Sequence, residues 1–311
     1  MATPAVADAL ADLITGLVTP FDDDLAVDHE ALATNAARLS GRGVSTFFAT
    51  SNVSEYHSLT HEERVAVTET SVAALPGEAV VLAGAGGSTR TAMDLARRYE
   101  AVGADVVMVM PPHHTFRHED GLLEHYRRIG DATELPTVPY LRGFEPSASF
   151  VAALSELESV AGIKWTVPDV PLFAEAVAAG ADDVVWINGL GELFAVPLAV
   201  EGASGMASGI GNVEPRLGRA LFDALERGDL ERAREIRDVA APFMRFRTET
   251  GEGNTLPHAT SVPALKVALE AEGLTGGRVR PPLVELSERD RKRARAYWRE
   301  IRAFVDDALA T

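Results

Sequence analysis

The chain has 311 residues, of which 46% are hydrophobic and 24% charged, proportions that exclude wholesale disorder and a membrane bundle. Forty-six Asp plus Glu against 29 Lys plus Arg leave a formal charge of −17, a field that repels polyphosphate backbones and anionic lipid surfaces, so neither nucleic acid nor a membrane is an expected partner. The absence of cysteine removes disulfides, thiolate metal sites and a cysteine nucleophile together.

The segment Met1–Pro20 is apolar but carries Asp8 and Asp12 and no early Lys or Arg, unlike a secretory signal, and no stretch approaches the ~20 apolar residues of a membrane span. The chain therefore reads as soluble and cytoplasmic. Short aliphatic and β-branched runs then recur at Leu13–Thr19, Val44–Thr50, Ala79–Ala83, Asp105–Met110, Pro136–Tyr140, Val160–Trp165, Val184–Asn188 and Ser204–Ser208. They are apolar on both faces, as strands of a buried parallel sheet are. Between them, His29–Gly41, Thr89–Val102, Gly121–Gly130, Ser147–Glu158 and Val170–Ala179 carry an apolar stripe at helical spacing.

Eight strand-helix units within about 210 residues, joined by short connections, predict a (β/α)8 TIM barrel over residues 1–212. A doubly wound sheet competes, but no Gly-x-Gly-x-x-Gly follows the first strand; Gly84, Gly86 and Gly87 follow the third and read as a loop. Residues 213–311 form a helical extension, predicted at Glu214–Glu226, Asp229–Arg247, Val262–Glu272 and Ser287–Leu309, broken at Gly251–Asn254 and Gly273–Pro282.

Lysine occurs only at 164, 266 and 292. Lys266, on a helix, and Lys292, in a charged run, read as solvated. Lys164 lies late in the sixth predicted strand, near the end of the barrel where active sites are built. An ammonium in an apolar pocket loses hydration, its pKa falls, and the neutral nucleophilic amine becomes accessible near pH 7. On that residue alone, a lysine snorkelling past the strand end is the competing reading. Tyr140 ends the neighbouring fifth strand, where a phenol can shuttle protons or simply sit on the rim. Arg142, two residues on, is either a carboxylate clamp or a surface arginine, and Arg117 is a further candidate for making the mouth locally positive.

Gly16-Leu17-Val18-Thr19-Pro20-Phe21, Ser51-Asn52-Val53-Ser54-Glu55 with Leu59-Thr60-His61-Glu62-Glu63-Arg64, strand-end Tyr140, Gly162-Ile163-Lys164 and Arg280-Pro281-Pro282-Leu283 together resemble the dihydrodipicolinate synthase / N-acetylneuraminate lyase superfamily over nearly the whole chain. The resemblance implies a TIM barrel with C-terminal helices, usually a homotetramer, needing no metal or cofactor. It implies a Schiff base between Lys164 and the keto group of pyruvate or a pyruvate-containing 2-keto acid, with Tyr140 as acid/base.

Where the family loop reads Gly-Thr/Ser-Thr-Gly-Glu and holds the keto-acid carboxylate, this chain has Asn52 and Val53 at the hydroxyl positions. The relay tyrosine of the synthase, supplied by a neighbouring subunit, falls at His114, and its semialdehyde-binding arginine near Glu145. Thr166, Gly189, Glu192 and Ser208 fall where neuraminate lyase binds its substrate, although the Asp of that loop is Gly191. Ser54-Glu55-Tyr56-His57-Ser58-Leu59, Tyr140-x-Arg142 and Pro242-Phe243-Met244 are similar to 5-dehydro-4-deoxyglucarate dehydratase. The expected function is thus a Schiff-base lyase, hydro-lyase or aldolase, acting on a 2-keto-3-deoxy sugar acid or related 2-keto acid. The alternatives are 4-hydroxy-tetrahydrodipicolinate synthase, a neuraminate lyase-like aldolase, and a non-catalytic keto-acid-binding barrel.

Overall fold

A computed structural model describes residues 4–309. Eight parallel strands close into one ring: β1 (Leu13–Gly16), β2 (Thr46–Thr50), β3 (Val80–Ala85), β4 (Val106–Val109), β5 (Thr137–Leu141), β6 (Gly162–Trp165), β7 (Val185–Asn188) and β8 (Gly205–Ser208), with β8 pairing back to β1. The expected TIM barrel is the observed fold. The wrapping helices are α2 (His29–Ser40), α3 (His61–Ala74), α4 (Thr89–Ala101), α5 (Glu119–Gly130), α6 (Ala148–Ser155), α7 (Val170–Ala179) and α8 (Ala195–Val200), after a short α1 (Pro4–Leu10) that packs across the barrel's N-terminal end.

Strand alternation divides the apolar residues into two shells. Ile14, Phe48, Leu82, Met108, Val138 and Ile187 point inward and meet in the ring's interior. Their outward neighbours, such as Val107, Ile163 and Trp165, pack against helix stripes that include Leu95, Tyr99, Leu154 and Phe173. On β6 this alternation turns Ile163 and Trp165 out and Lys164 in. The helices start where local chemistry dictates: the side chains of Ser88, Ser147 and Asp169 accept from the third backbone N–H of α4, α6 and α7, those of Thr91, Phe150 and Leu172, and Thr60 with Glu63 makes a reciprocal capping box on α3.

Beyond β8 come α9 (Pro215–Glu226), α10 (Leu230–Phe246), α11 (Ser261–Ala271) and α12 (Glu288–Ala308). Their apolar faces share one core with Leu13, Val18 and Met206 of the barrel. Glu214, fully buried at the start of α9, ties the two regions together. Its carboxylate lies 2.9 Å from Arg216, 3.4 Å from Arg42 at the end of α2 and 2.5 Å from Arg302 of α12. These guanidinium partners hold its pKa below the ordinary carboxylate range against the opposing effect of burial.

Glu214 is buried but its arginine partners are partly exposed and can rehydrate, so removing the carboxylate costs less than breaking a fully buried pair, about 1–3 kcal/mol. Glu214→Ala is expected to lower the unfolding free energy in urea by that order while Glu288→Ala, which removes the partner of exposed Lys292, leaves it within about 0.5 kcal/mol. Equal effects of the two substitutions would refute the bridging role.

Candidate active site

The C-terminal ends of the strands converge on Lys164. Parallel register pairs it directly with Tyr140 on β5 and with Ile187 on β7. The side chain is buried, and its Nζ lies 4.2 Å from the centre of the Phe48 ring, 4.4 Å from that of Tyr140, and 3.8 Å from Met108 Sδ. Among the described residues no carboxylate approaches it within 4.0 Å. Two ring faces and a thioether hydrate an ammonium poorly. Desolvation therefore lowers the Lys164 pKa to about 7, with the charge of Arg142 acting in the same direction. Gly189 makes room for the side chain: a Cβ there would fall 2.9 Å from Lys164 Cγ and 2.5 Å from a Thr166 methyl.

The Tyr140 hydroxyl accepts hydrogen bonds from Asn52 Nδ2 at 3.1 Å and Arg142 Nη1 at 3.2 Å, leaving its own proton available to a bound molecule. Asn52 and Val53 form the tight turn after β2, in which the N–H groups of Ser54 and Tyr56 donate to the Ser51 carbonyl. Neither the Asn52 nor the Val53 backbone N–H has an acceptor among the described residues. The Val53 side chain lies over Gly16, so the turn sits directly on the end of β1.

That turn is anchored from below by the C-terminal extension. Glu55 is buried in a left-handed conformation, φ 54°, with its carboxylate 2.7 Å from Lys266 Nζ and accepting from the Arg280 N–H at 3.1 Å. Lys266 also donates to the Arg278 carbonyl and lies 4.7 Å from the centre of the Phe21 ring. Arg280 grips both Glu63 oxygens at 2.7 Å, donates to the Leu25 and Ser58 carbonyls and covers the other part of Phe21. The expectation that Lys266 is solvated is overturned. Residues 262–269 of α11 are all buried, so the helix has no wet face for it, and Glu55 supplies the countercharge. Lys292, by contrast, is exposed.

The remaining residues singled out from the sequence divide. Arg142 is exposed on the rim beside Tyr140 and Gly189 lies against Lys164. Thr166 is buried next to Gly189 with its hydroxyl donated to the Leu141 carbonyl at 2.7 Å. Glu192 and Ser208 are brought together in the interior. The Glu192 carboxylate accepts from Ser208 Oγ at 2.5 Å and from the Ile210 and Gly209 N–H groups, while Ser208 Oγ accepts from the Gly211 N–H, so together they brace the loop after β8. His114 stands on the exposed loop after β4, its ring bonded to the Phe116 backbone, and it touches neither Lys164 nor Tyr140 within the chain. His57, not singled out, is near the mouth; burial and the neighbouring His113, Arg64 and Arg142 lower its pKa to about 4, so it is neutral in ordinary buffers. A shallow hollow of about 590 Å3 at the opposite end is lined by Arg219 and by the acids Asp8, Asp12, Asp223 and Glu226, three of them ion-paired to that arginine.

The family model for the dihydrodipicolinate synthetase family matches residues 9–300. The chain belongs to that family. It is 31% identical over 281 residues to the 4-hydroxy-tetrahydrodipicolinate synthase of Archaeoglobus fulgidus, covering 89% of this chain and 93% of that one. It is 33% identical over 284 residues to a Methylobacterium radiotolerans protein named "Probable 5-dehydro-4-deoxyglucarate dehydratase", covering 90% and 91%. The crystal structure of dihydrodipicolinate synthase from Oceanobacillus iheyensis superposes with a TM-score of 0.90 at 28% identity, over 96% of this chain and 98% of that one. Members of the family are lyases acting on small molecules, and so is this protein.

Lys266→Met strands the Glu55 carboxylate and is expected to cost about 3–5 kcal/mol in urea unfolding at pH 7. The double variant Glu55→Gln/Lys266→Met recovers much of that loss, because the lone buried charge is gone. A loss below about 0.5 kcal/mol for the single variant would return Lys266 to the surface class.

Proposed function

We propose that the protein is a class I lyase that forms a Schiff base between Lys164 and the C2 carbonyl of a 2-keto acid, a 2-keto-3-deoxy sugar acid or a close relative. The observation that carries this reading is the amine itself: a lysine nitrogen buried against two rings and a thioether, without a carboxylate, at the end of the barrel where strand register sets a tyrosine beside it. Such a nitrogen is substantially neutral near pH 7 and carries the lone pair needed for attack.

In this mechanism the backbone N–H groups of Asn52 and Val53 receive the substrate carboxylate. The Lys164 nitrogen adds to C2, and Tyr140 passes a proton to the carbonyl oxygen. Loss of water from the carbinolamine yields a protonated imine. Loss of a proton from C3 then gives the enamine, departure of the C4 hydroxyl as water leaves a conjugated imine, and hydrolysis of that imine releases the dehydrated product and the Lys164 amine. Alternatively, deprotonation of the C4 hydroxyl breaks the C3–C4 bond and releases an aldehyde, and the remaining enamine is protonated at C3 and hydrolysed to pyruvate. In both branches the cationic imine nitrogen accepts the electron pair that the carbon fragment cannot hold alone. Lysine-pathway condensation is the second reading, favoured by the name of the Archaeoglobus relative. Against it, Glu145 stands where the resemblance calls for a cationic semialdehyde clamp, and Val53 has no hydroxyl for the proton relay. The protein acts as a homo-oligomer in this proposal, with His114 available to a neighbouring subunit.

Borohydride reduction in the presence of pyruvate is expected to add one reduced adduct at Lys164 in wild type and none in Lys164→Ala. An adduct on another lysine, or none on the folded wild type, overturns the Schiff-base mechanism. The initial trapping rate should rise as pH climbs through about 7 and flatten above it, because deprotonation creates the nucleophile. The same shift predicts a stability effect. A lysine pKa lowered by folding means that the unfolded chain binds more protons between about 7 and its ordinary value, so the destabilisation is full below 7 and fades as pH rises through that window. Lys164→Met should therefore raise Tm more at pH 6 than at pH 10, and an equal gain at both would contradict a desolvated amine.

A further inference from the structure

Arg247 follows α10 as its C-cap and is 7% exposed, although a guanidinium is a permanent cation with five N–H donors that is seldom buried without an anion. No carboxylate lies within 4.0 Å of it among the described residues. Its contacts are to the Ser261 carbonyl and Ser261 Oγ, both at 3.3 Å and long for a group of this charge, and to the weak acceptor Met244 Sδ at 3.4 Å. Glu192 is near enough to favour the charge, but its two oxygens are held by Ser208 and by the Gly209 and Ile210 N–H groups. Glu192 therefore offsets the arginine's charge from a distance without engaging its N–H donors.

The position is informative. Nη1 lies 2.3 Å from where a Cβ on Gly209 would be, and Gly209 is the first residue beyond β8, at the same end of the barrel as Lys164. Around the closed ring the free N–H groups follow β2, Lys164 stands on β6 opposite, and Arg247 sits over β8, two strands from each. His258, exposed on the loop between α10 and α11, has its pKa lowered by partial burial and by the nearby charges of Arg142 and Arg247, so its imidazole is a neutral neighbour of both. Arg142 and Arg117 likewise have no carboxylate within 4.0 Å among the described residues; they contact the Tyr140 hydroxyl and the Gly143 carbonyl.

We propose that Arg247, with His258 and Arg142 on the rim, forms a second anion subsite that receives the distal charged group of the substrate, so that the 2-keto acid carries a carboxylate or a phosphate ester at its far end. This rests on the reading that Lys164 forms the imine, and it narrows the substrate class from sugar acids in general to doubly anionic ones. A guanidinium fork matches either group, and the shared chemistry is a terminal oxyanion.

The test is borohydride trapping on the full chain with paired keto acids of equal length: 2-oxoglutarate against 2-oxopentanoate, 2-oxoadipate against 2-oxohexanoate, and 2-keto-3-deoxygluconate against its 6-phosphate. Each titration is expressed relative to pyruvate in the same variant. Wild type is expected to reach half-maximal Lys164 adduct at a concentration at least tenfold lower for one charged-ended series, and the carboxylate and phosphate arms show which oxyanion it is. Arg247→Gln is expected to bring the pairs within about twofold, while Arg247→Lys keeps part of the preference. His258→Gln, an exposed change, should weaken it less than Arg247→Gln. Absence of any charge preference in wild type, or its survival in Arg247→Gln, overturns the subsite. If wild type forms the pyruvate adduct without such a preference, only the subsite falls; if it forms no pyruvate adduct, the Schiff-base reading falls and the subsite with it.

Discussion

The site depends on the dehydration of one nitrogen. Lys164 is the inward residue of a four-residue strand in a closed barrel, and closure leaves its amine facing Phe48, Tyr140 and Met108 rather than water or a carboxylate. Had a single acid stood beside it, the ion pair would have kept the nitrogen protonated and without nucleophilic character. The surrounding choices are consistent with that demand. Gly189 on the neighbouring strand end leaves space for the lysine stem, and the polar groups within reach, Tyr140, Asn52 and Arg142, are neutral or cationic.

A buried amine can serve as the proposed nucleophile only if the opposite wall of the barrel is fixed, and here the C-terminal helices do the fixing. The turn carrying Asn52 and Val53 continues into Glu55, whose carboxylate reaches Lys266 of α11, and Glu63 just beyond is held by both nitrogens of Arg280. The residues that resemble the family motif around 51–64 and 280–283 are therefore largely anchorage. Their job is to hold a turn whose two N–H groups remain free. Val53 in place of a hydroxylated residue leaves that backbone geometry intact, because its side chain packs over Gly16 and its N–H is unaffected.

The barrel was legible in the sequence because strand and helix periods alternate with short connections over eight units, and because the glycine fingerprint of a doubly wound sheet is missing after the first strand. Lys164 and Tyr140 were legible for a related reason: both end apolar strands, and on β6 the alternation around Ile163 and Trp165 fixes which way the lysine points. Lys266 was not. Its helix looks amphipathic at Glu270 and Glu272, and only the stacking of α11 between the barrel and α12 shows that 262–269 have no wet side. The bracing bonds of Glu192 and Ser208 were not legible either, because a strand-end acid and hydroxyl look the same in sequence whether they face the mouth or brace a loop. Arg247 carried a faint signal, a charge amid Phe243, Met244 and Phe246, but its burial depends on Ser261 and Gly209, distant in the chain.

The charge distribution fits the same logic. An excess of acid over base would slow an approaching anion if the field at the mouth followed the net charge of −17. At physiological ionic strength, however, exposed charges are screened beyond about 8 Å, so the outer helices contribute little at the barrel end. What an anion meets there is local: Arg142, Arg117 and the buried Arg247, none with a carboxylate within 4.0 Å among the described residues. Elsewhere many acids are consumed in pairs with arginine, such as Glu124 with Arg127 and Arg128, Asp12 with Arg219, and Glu249 with Arg293. Pairing acids with arginines on the outer helices while leaving Arg142, Arg117 and Arg247 without carboxylate partners lets an acidic protein keep cations available at this end of the barrel.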